Sequence, residues 1–418
     1  MREYICETLQ TPVAGYYDVI VAGGGPAGVG AAIAAGRMGA KTLLVERYGF
    51  LGGNWTAALV NPLFDTENKG GIVRELVNGL NERGLWGGFE GHSFDYEGIK
   101  SLLDEMVLDA GVEILFQSNV VAAVKIANRV NGLIVENKSG RSAYRGEVLI
   151  DCTGDGDLAA QAGADFAFGR DSDHLTQAMT LMFVVGNIHF DQNSRDQLYR
   201  LMQETIRSKN LNFKINYKYP YFILLPDGSR AVAQMTHICG KSGIDAEEIS
   251  QAYLEARKEA VRLFNFFKNN MEQFKDLSLE QTAVQMGVRE SRRITGEYVL
   301  NVDDLLAGRK FDDGITIASF PVDIHQPDSD GQEVCFPKPY HIPYRCLVPK
   351  TLDGLLVAGR CISGTHEAHG SYRVAGNCIA MGEAAGVAAA MAAQNGVQPR
   401  GIDIHELQST LRANHVIL

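Results

Sequence analysis

The stretch Asp18-Val-Ile-Val-Ala-Gly-Gly-Gly-Pro-Ala-Gly28, continued by Val29-Gly-Ala-Ala-Ile-Ala-Ala-Gly36 and Lys41-Thr-Leu-Leu-Val-Glu46, decides the fold. An apolar strand runs into a glycine turn, a small-residue helix follows, and a second apolar strand ends in an acid. This is the G-x-G-x-x-G dinucleotide fingerprint in the strand–turn–helix–strand setting it requires. Gly23 permits the tight turn, Gly25 lets backbone approach a pyrophosphate, and Gly28 lets the helix pack close to the strand. Pro26 and Ala27 open the helix, whose unpaired N–H groups and positive dipole end favour phosphate. Glu46 is placed to accept hydrogen bonds from a ribose hydroxyl pair. The competing reading is a structural βαβ unit with a glycine-rich turn and no ligand.

The rest of the chain narrows the class. Its 418 residues can bury a large core and suggest two or three domains. A net charge of −11 opposes nucleic-acid binding. No apolar run is long enough for a transmembrane helix, and Met1–Glu7 lacks the apolar core of a signal peptide. The expected location is therefore the cytoplasm, with no membrane partner. Seven cysteines (6, 152, 239, 335, 346, 361 and 378) are scattered without a CxxC pair, against a disulfide framework, a zinc site or a redox dithiol. His366-Glu-Ala-His369 is not the HExxH zinc motif, because position 370 is glycine. No metal is expected.

Periodicity orders the segments. Residues 1–16 read as a tail. Residues 68–85 and 95–110 have helical spacing, and Val112–Leu115 reads as the next parallel strand. The pattern then turns to period two over Val121–Ile126, Gly132–Glu136 and Gly146–Asp151, a β-meander that leads back to the sheet and into Asp151-Cys-Thr-Gly-Asp-Gly-Asp157. Apolar runs at Met179–Val185, Tyr221–Leu225 and Ile315–Phe320 mix with helical stretches at Asp191–Ser208 and Asp245–Asn270. Gly354–Arg360 is another strand and turn, and a glycine- and alanine-rich helix runs from about Asn377 to Ala393. The expected fold is α/β: a Rossmann-like, doubly wound domain with a meander crossover, built from residues 1–165 and 341–418 and interrupted by an α+β substrate domain over 166–340.

Three features favour FAD over a nicotinamide. Glu46 is followed by Arg47 and by a second glycine pair in Phe50-Leu-Gly-Gly-Asn-Trp-Thr56, a loop suited to close over the pyrophosphate through Gly53, Asn54 and Thr56. The crossover is a meander, which puts Val121 and the turn Thr153, Gly154 and Asp155 near the cofactor. The late helix follows the Gly359-Arg360 turn and opens at Gly376, Asn377 and Cys378. Its N-terminus is able to stabilise negative charge on a reduced flavin, unless it is only a tightly packed core helix. A second GxGxxG is missing, so a flavin here exchanges electrons with the substrate and a separate donor or acceptor.

These residues resemble the bacterial FAD-dependent oxidoreductases of the glutathione-reductase-2 class, which includes fumarate reductase and succinate dehydrogenase flavoproteins. The resemblance rests on Asp18–Thr56, Asp151–Asp157, Arg289–Tyr298, Ile342–Arg345 and Leu356–Ala385. It implies a flavin domain from the two ends, a substrate domain from the middle, and the flavin ring between them. Two departures stand near the expected ring: His369, in place of a less polar residue, and Ala375-Gly376-Asn377, in place of Met-Pro-Thr.

Hydride transfer to a flavin needs a group that takes or gives a proton. His366 is a candidate base, or a structural histidine. Arg292, Arg293 and Arg373 are candidates to bind a carboxylate or phosphate. Alternatively Arg289, Arg292 and Arg293 form a charged helix face in which Glu290 pairs with Arg293. Tyr298 and Tyr344 read as ring contacts, hydroxyl donors or simple packing. The catalytic set from sequence is thus His366, Arg373 and Arg292. The expected activity is a dehydrogenase passing a hydride from a polar small molecule to flavin N5. A reductase, a monooxygenase and a non-catalytic dinucleotide sensor are the alternatives, and homo-oligomer formation is left open.

Overall fold

The computed structural model of the chain describes residues 3, 5–88, 91–189, 195–209, 215–217 and 220–418. Its main sheet has seven strands. Glu113–Leu115, Thr42–Val45, Val13–Ala22 and Gly140–Asp151 lie side by side in parallel. Beyond them the long strand Gly140–Asp151 has two partners. Its first half pairs antiparallel with Arg129–Asn137, which pairs with Asn119–Ile126, and its second half pairs parallel with Leu355–Val357. The expected meander is present with longer strands. The first strand also starts earlier than the sequence suggests. Val13–Tyr16, read as tail, pairs with Ala143–Arg145, because the twelve-residue neighbour offers a ladder that far.

The central strand residues Val19–Ala22 and Val148–Ile150 are buried on both faces, as helix-covered parallel strands require. One face is covered by the fingerprint helix Pro26–Arg37 and the late helix Ala375–Asn395. These two cross with almost no side chain between them: a Cβ on Gly382 would lie 2.0 Å from the Ala27 carbonyl oxygen, and one on Gly386 2.2 Å from that of Ala31. The late helix is buried from Gly376 to Ala392, so small residues all round it serve backbone approach rather than an amphipathic face. Among the described residues no single helix is long and apolar enough to cross a membrane.

A second sheet is antiparallel, in the order Tyr221–Leu224, Arg230–Gln234, Phe183–Gly186, Ser278–Thr282. Its alternating residues feed two apolar clusters. Phe183, Val185, Phe222 and Leu224 pack with Leu263 and Phe267, whereas Met182, Val184, Ile223 and Val232 pack with Ala252 and Ala256. Helix Ala246–Asn270 serves both, and Asp245 caps it by accepting from the Glu247 and Glu248 N–H groups. Residues 191–194 of the other expected helix lie outside the described residues, and the helix is seen over Arg195–Ser208. The hairpin Val322–His325 with Gln332–Cys335 and the pair Gly314–Ala318 with Tyr340–Pro343 send Ile315, Val322, Ile324 and Tyr340 into the core of the main sheet. The segment Arg292–Ile294 is a strand paired with Phe166–Phe168, so the helix-face reading of Arg289–Arg293 does not hold.

Candidate functional site

The carboxyl ends of the parallel strands meet one wall of a cavity of about 470 Å³, lined there by Gly23, Val45, Glu46, Cys152 and Ala358. This is the ligand face of an open α/β sheet. Gly23 has φ +98°, and a Cβ on it would lie 2.6 Å from the Cys152 carbonyl oxygen. The turn delivers Gly25, Pro26 and Ala27 to the cavity, and helix Pro26–Arg37 has no side-chain cap. Opposite stands Gly53, where a Cβ would lie 2.9 Å from the Gly25 Cα. The two glycines therefore leave a narrow backbone cradle.

Glu46 is buried beside this cradle. Burial raises its pKa, opposed by the Tyr48 and Gly24 N–H groups, which donate to its two oxygens at 2.8 and 2.7 Å. Each carboxylate oxygen keeps further acceptor capacity. Arg47 donates to Gln285 at 2.7 Å, and Gln285 donates to Asn54 at 2.9 Å, which ties the loop after Glu46 to the middle segment. Arg360 lines the cavity and ion-pairs with Asp155 at 2.5 Å. Burial alone would raise Asp155, but Arg360 and the Ser291 hydroxyl outweigh it and hold the carboxyl below its usual range. Val374, Ala375 and Cys378, from the start of the uncapped late helix, also face the cavity.

The cavity continues to a second, differently built wall. The antiparallel sheet and its neighbours contribute Thr180, Met182, Tyr221, Gln234 and Arg289, and the hairpin contributes Asp323, His325 and Gln332. Asp323 is the hub. Its Oδ2 lies 3.3 Å from Arg373 Nη2 and 3.6 Å from His325 Nε2, and its Oδ1 accepts from Gln332 Nε2 at 2.5 Å. Burial would raise Asp323, yet His325, Arg373 and Gln332 hold it far below the carboxylate range. His325 is lowered to about 3 by burial and then by the Arg289 charge, so its ring is neutral. Its Nδ1 is buried without a hydrogen-bond partner among the described residues. Tyr217 stacks on His237 at 5.2 Å and sits 5.6 Å from the His325 ring. Arg289 Nη1 donates to the Ala178 carbonyl and Thr180 Oγ1 at 2.7 and 2.8 Å.

The sequence model of FAD dependent oxidoreductases matches residues 18–411. The chain belongs to the FAD-dependent oxidoreductase family. Among curated proteins it is similar to mitochondrial dihydrolipoyl dehydrogenase of Schizosaccharomyces pombe, 34% identical over 113 residues, which cover 27% of this chain and 22% of that one. It is also similar to the tRNA uridine 5-carboxymethylaminomethyl modification enzyme MnmG of Campylobacter fetus subsp. fetus, 48% identical over 60 residues, or 14% of this chain and 9% of that one. The shared stretch is thus a small part of either relative. Among solved structures, a geranylgeranyl bacteriochlorophyll reductase-like protein from Thermoplasma acidophilum aligns with TM-score 0.52 at 14% identity, covering 96% of this chain and 84% of that one. The flavin-dependent brominase Bmp2 aligns with TM-score 0.50 at 13% identity, covering 95% and 83%. At such identities the likeness is one of fold.

The first wall fits the cofactor of this FAD-dependent oxidoreductase family. The Gly25–Gly53 cradle suits a pyrophosphate, two uncapped helix N-termini suit negative charge, and Glu46 suits a ribose. Glu46→Gln is expected to weaken FAD binding on the order of 10- to 100-fold, the worth of a hydrogen bond to a charged group. Fluorescence titration of the deflavinated protein with FAD reads the effect.

Of the residues expected at the cofactor, Gly23, Gly25, Pro26, Ala27, Glu46, Arg47, Gly53, Asn54, Thr153, Gly154, Gly359, Arg360 and Cys378 line the cavity. Others stand behind it. A Cβ on Gly28 would lie 1.7 Å from the Gly23 carbonyl oxygen, so Gly28 supports the turn. Thr56 Oγ1 donates to the Leu51 carbonyl and shapes the loop. Val120, not Val121, faces the cavity, because neighbouring strand residues point to opposite sides. Asp155 acts through Arg360. Gly376 lies against the carbonyls of Phe64 and Asp65, and Asn377 is buried outside the lining with its amide unpartnered.

The catalytic set changes more. Arg373 is in the cavity. His366 is not: its Nδ1 lies 2.9 Å from the fully buried Glu290, which also pairs with Arg293. Arg292 is outside as well, bonded to Asp157 Oδ1 at 2.9 Å and the Asp155 carbonyl. Tyr298 donates to Asp304 and Tyr344 to the Pro399 carbonyl, both in packing roles. His369 is fully buried with both ring nitrogens unpartnered and its pKa lowered by burial and by Arg373. The sequence reading missed Asp323, His325 and Gln332, which carry no motif. The one available signal was the D-x-H spacing on an alternating strand, and that pattern is common.

Proposed function

We propose that this FAD-dependent oxidoreductase is a dehydrogenase that removes a hydride from a carbon of a polar small molecule and passes the electrons on to a separate acceptor. The observation that carries this reading is the Asp323–His325 pair on the cavity wall beside Arg373. Bound FAD supplies a two-electron acceptor. The chain then has to take the substrate's hydroxyl proton as the hydride leaves. Asp323 Oδ2 stands 3.6 Å from His325 Nε2, beyond hydrogen-bond length, and orients the imidazole by charge for that task. The neutral ring is the form a base needs. Asp323, held ionised, steadies the imidazolium that results. Tyr217 packs against the ring and keeps it from rotating.

The test is anaerobic. Holoenzyme is mixed with panels of alcohols, hydroxy acids, amines and amino acids, and the flavin band near its visible maximum is followed. Rapid bleaching by a member of one class, followed by recovery with an artificial acceptor, is the expected result. Oxygen uptake in step with an added nicotinamide, with no bleaching by any panel member, would replace the dehydrogenase by a monooxygenase. Tight FAD binding with neither response would leave a non-catalytic binding protein.

A further inference from the structure

We infer that the substrate is a small 2-hydroxy carboxylate, held through its carboxylate by Arg289 and Arg373 with its 2-hydroxyl against His325. This rests on the dehydrogenase reading above and deepens it.

Charge is the first argument. The second wall of the cavity carries Arg289, Arg373 and Asp323 as its ionised groups. His325 is neutral, and so is the neighbouring His237, lowered to about 4 by burial and by Arg289. Asp323 is already engaged by Arg373, His325 and Gln332. Arg289 has no carboxylate within ion-pair distance among the described residues. Its Nη1 contacts are a carbonyl and a hydroxyl, and burial and the nearby Arg373 both lower its pKa. Arg373 keeps a buried Nε without a hydrogen-bond partner among the described residues. At the other end Arg360 pairs with Asp155, Arg292 with Asp157, and Arg47 acts on Glu46, so that end contributes no surplus. The second wall therefore holds one positive charge too many. A monoanion cancels it, whereas a phosphate dianion overshoots. Two guanidinium forks are also the geometry that takes a carboxylate through paired N–H groups.

Spacing is the second argument. A single carboxylate oxygen, Asp323 Oδ2, touches both Arg373 and His325. The Arg373 guanidinium and the His325 imidazole therefore flank one carboxylate oxygen. A substrate bridging them carries its oxidisable centre next to its carboxylate, which is the 2-position. An amino acid has the same spacing, but its ammonium would restore the positive surplus between two arginines. A hydroxyl adds no charge. The second wall also presents Met182, Tyr217, Tyr221 and Phe320 beside the polar Thr180, Gln234 and Gln332, so a substituent on C2 has aromatic and apolar surface within the same cavity.

The reaction balances. The C2–H bond would break with its electron pair leaving as hydride, for which bound FAD would be the acceptor. The hydroxyl proton goes to the neutral imidazole of His325, and the C2–O bond becomes a carbonyl. The substrate loses two electrons, which FAD would accept when bound, and becomes a 2-oxo carboxylate. Substrate binding also prepares the base. Besides burial, the charges that keep His325 low are those of Arg289 and Arg373, and Asp323 opposes them. A carboxylate seated on the arginines cancels that charge, so the ring becomes more basic once the substrate is in place.

The test separates binding from turnover. Holoenzyme is titrated with propionate, lactate, mandelate, alanine and 1,2-propanediol while the flavin difference spectrum is recorded, and the same additions are made anaerobically to follow bleaching. Propionate is expected to perturb the spectrum without bleaching. One of the two hydroxy acids is expected to bleach it, and propanediol to do neither. Arg289→Gln is expected to raise the dissociation constant for propionate on the order of 10- to 100-fold at unchanged FAD content, with Arg289→Lys intermediate. The lysine variant serves if the glutamine variant does not fold. Carboxylates that leave the spectrum unmoved, or an unchanged constant in both variants, overturn the carboxylate assignment. Faster bleaching by alanine than by either hydroxy acid overturns the hydroxyl assignment. Bleaching by a neutral alcohol alone overturns the inference and leaves the dehydrogenase reading intact. Bleaching by nothing, with oxygen-dependent turnover of a nicotinamide, overturns that earlier reading itself.

Discussion

His325→Gln is expected to slow substrate-dependent FAD reduction by about 10²- to 10⁴-fold, the usual worth of a positioned proton acceptor. FAD content and the resting visible spectrum should be unchanged, since His325 belongs to the second wall of the cavity rather than to the glycine cradle. Stopped-flow bleaching under anaerobic conditions measures this step without interference from the electron acceptor. Glutamine keeps a donor for Asp323 but has no ring nitrogen that can be protonated, so the loss should appear in the limiting rate rather than in the substrate dissociation constant. The second-order rate of reduction at low substrate is expected to fall only in strong acid. The His325 pKa is lowered to about 3 in the ligand-free protein. Its neutral form therefore prevails across the neutral range and is lost only in strong acid. A reduction rate that is the same in wild type and variant would remove His325 from the chemistry.

The second large effect is on the fold. Gly382→Ala is expected to destabilise the protein by about 3 kcal/mol and to cost it most of its FAD. The added methyl would lie 2.0 Å from the Ala27 carbonyl oxygen, and backbone cannot swing aside as a side chain can. The two helices must separate, and both begin at the cavity: Ala27 lines it from one and Ala375 and Cys378 from the other. Gly401→Ala is the control, because nothing stands within 4 Å of its Cβ position. Thermal melts and the flavin-to-protein absorbance ratio read both variants. Equal melting points for the two would mean that the helices give way easily.

The cofactor half of the cavity was open to sequence reading because its chemistry is made by backbone. A phosphate cradle needs glycine at fixed spacing, a tight turn and a helix start, and these leave a local signature between Asp18 and Glu46. The errors there are small and geometric. Val121 was chosen where the strand presents Val120, and Gly28, Thr56 and Asn377 support the cavity without lining it. The same locality explains why the meander and the Gly354–Arg360 strand were readable: period two survives without tertiary information.

The catalytic half was not readable, for a physical reason. His366 follows a cofactor-binding turn, yet its neighbour in space is Glu290, 76 positions earlier, and the two form a buried pair away from the cavity. Asp323 and His325 sit on a short hairpin with no motif and gain their role from Arg373, fifty positions later, and from Arg289 in the same cavity. By itself the sequence determined the βαβ opening, the glycine cradle, the acid at Glu46 and the small-residue helix that fits against it, since each follows from local backbone sterics. Only the tertiary structure decided which histidine and which arginines share a cavity. Side-chain charges act through space, and packing that joins three separate segments sets both their distances and the burial that tunes them.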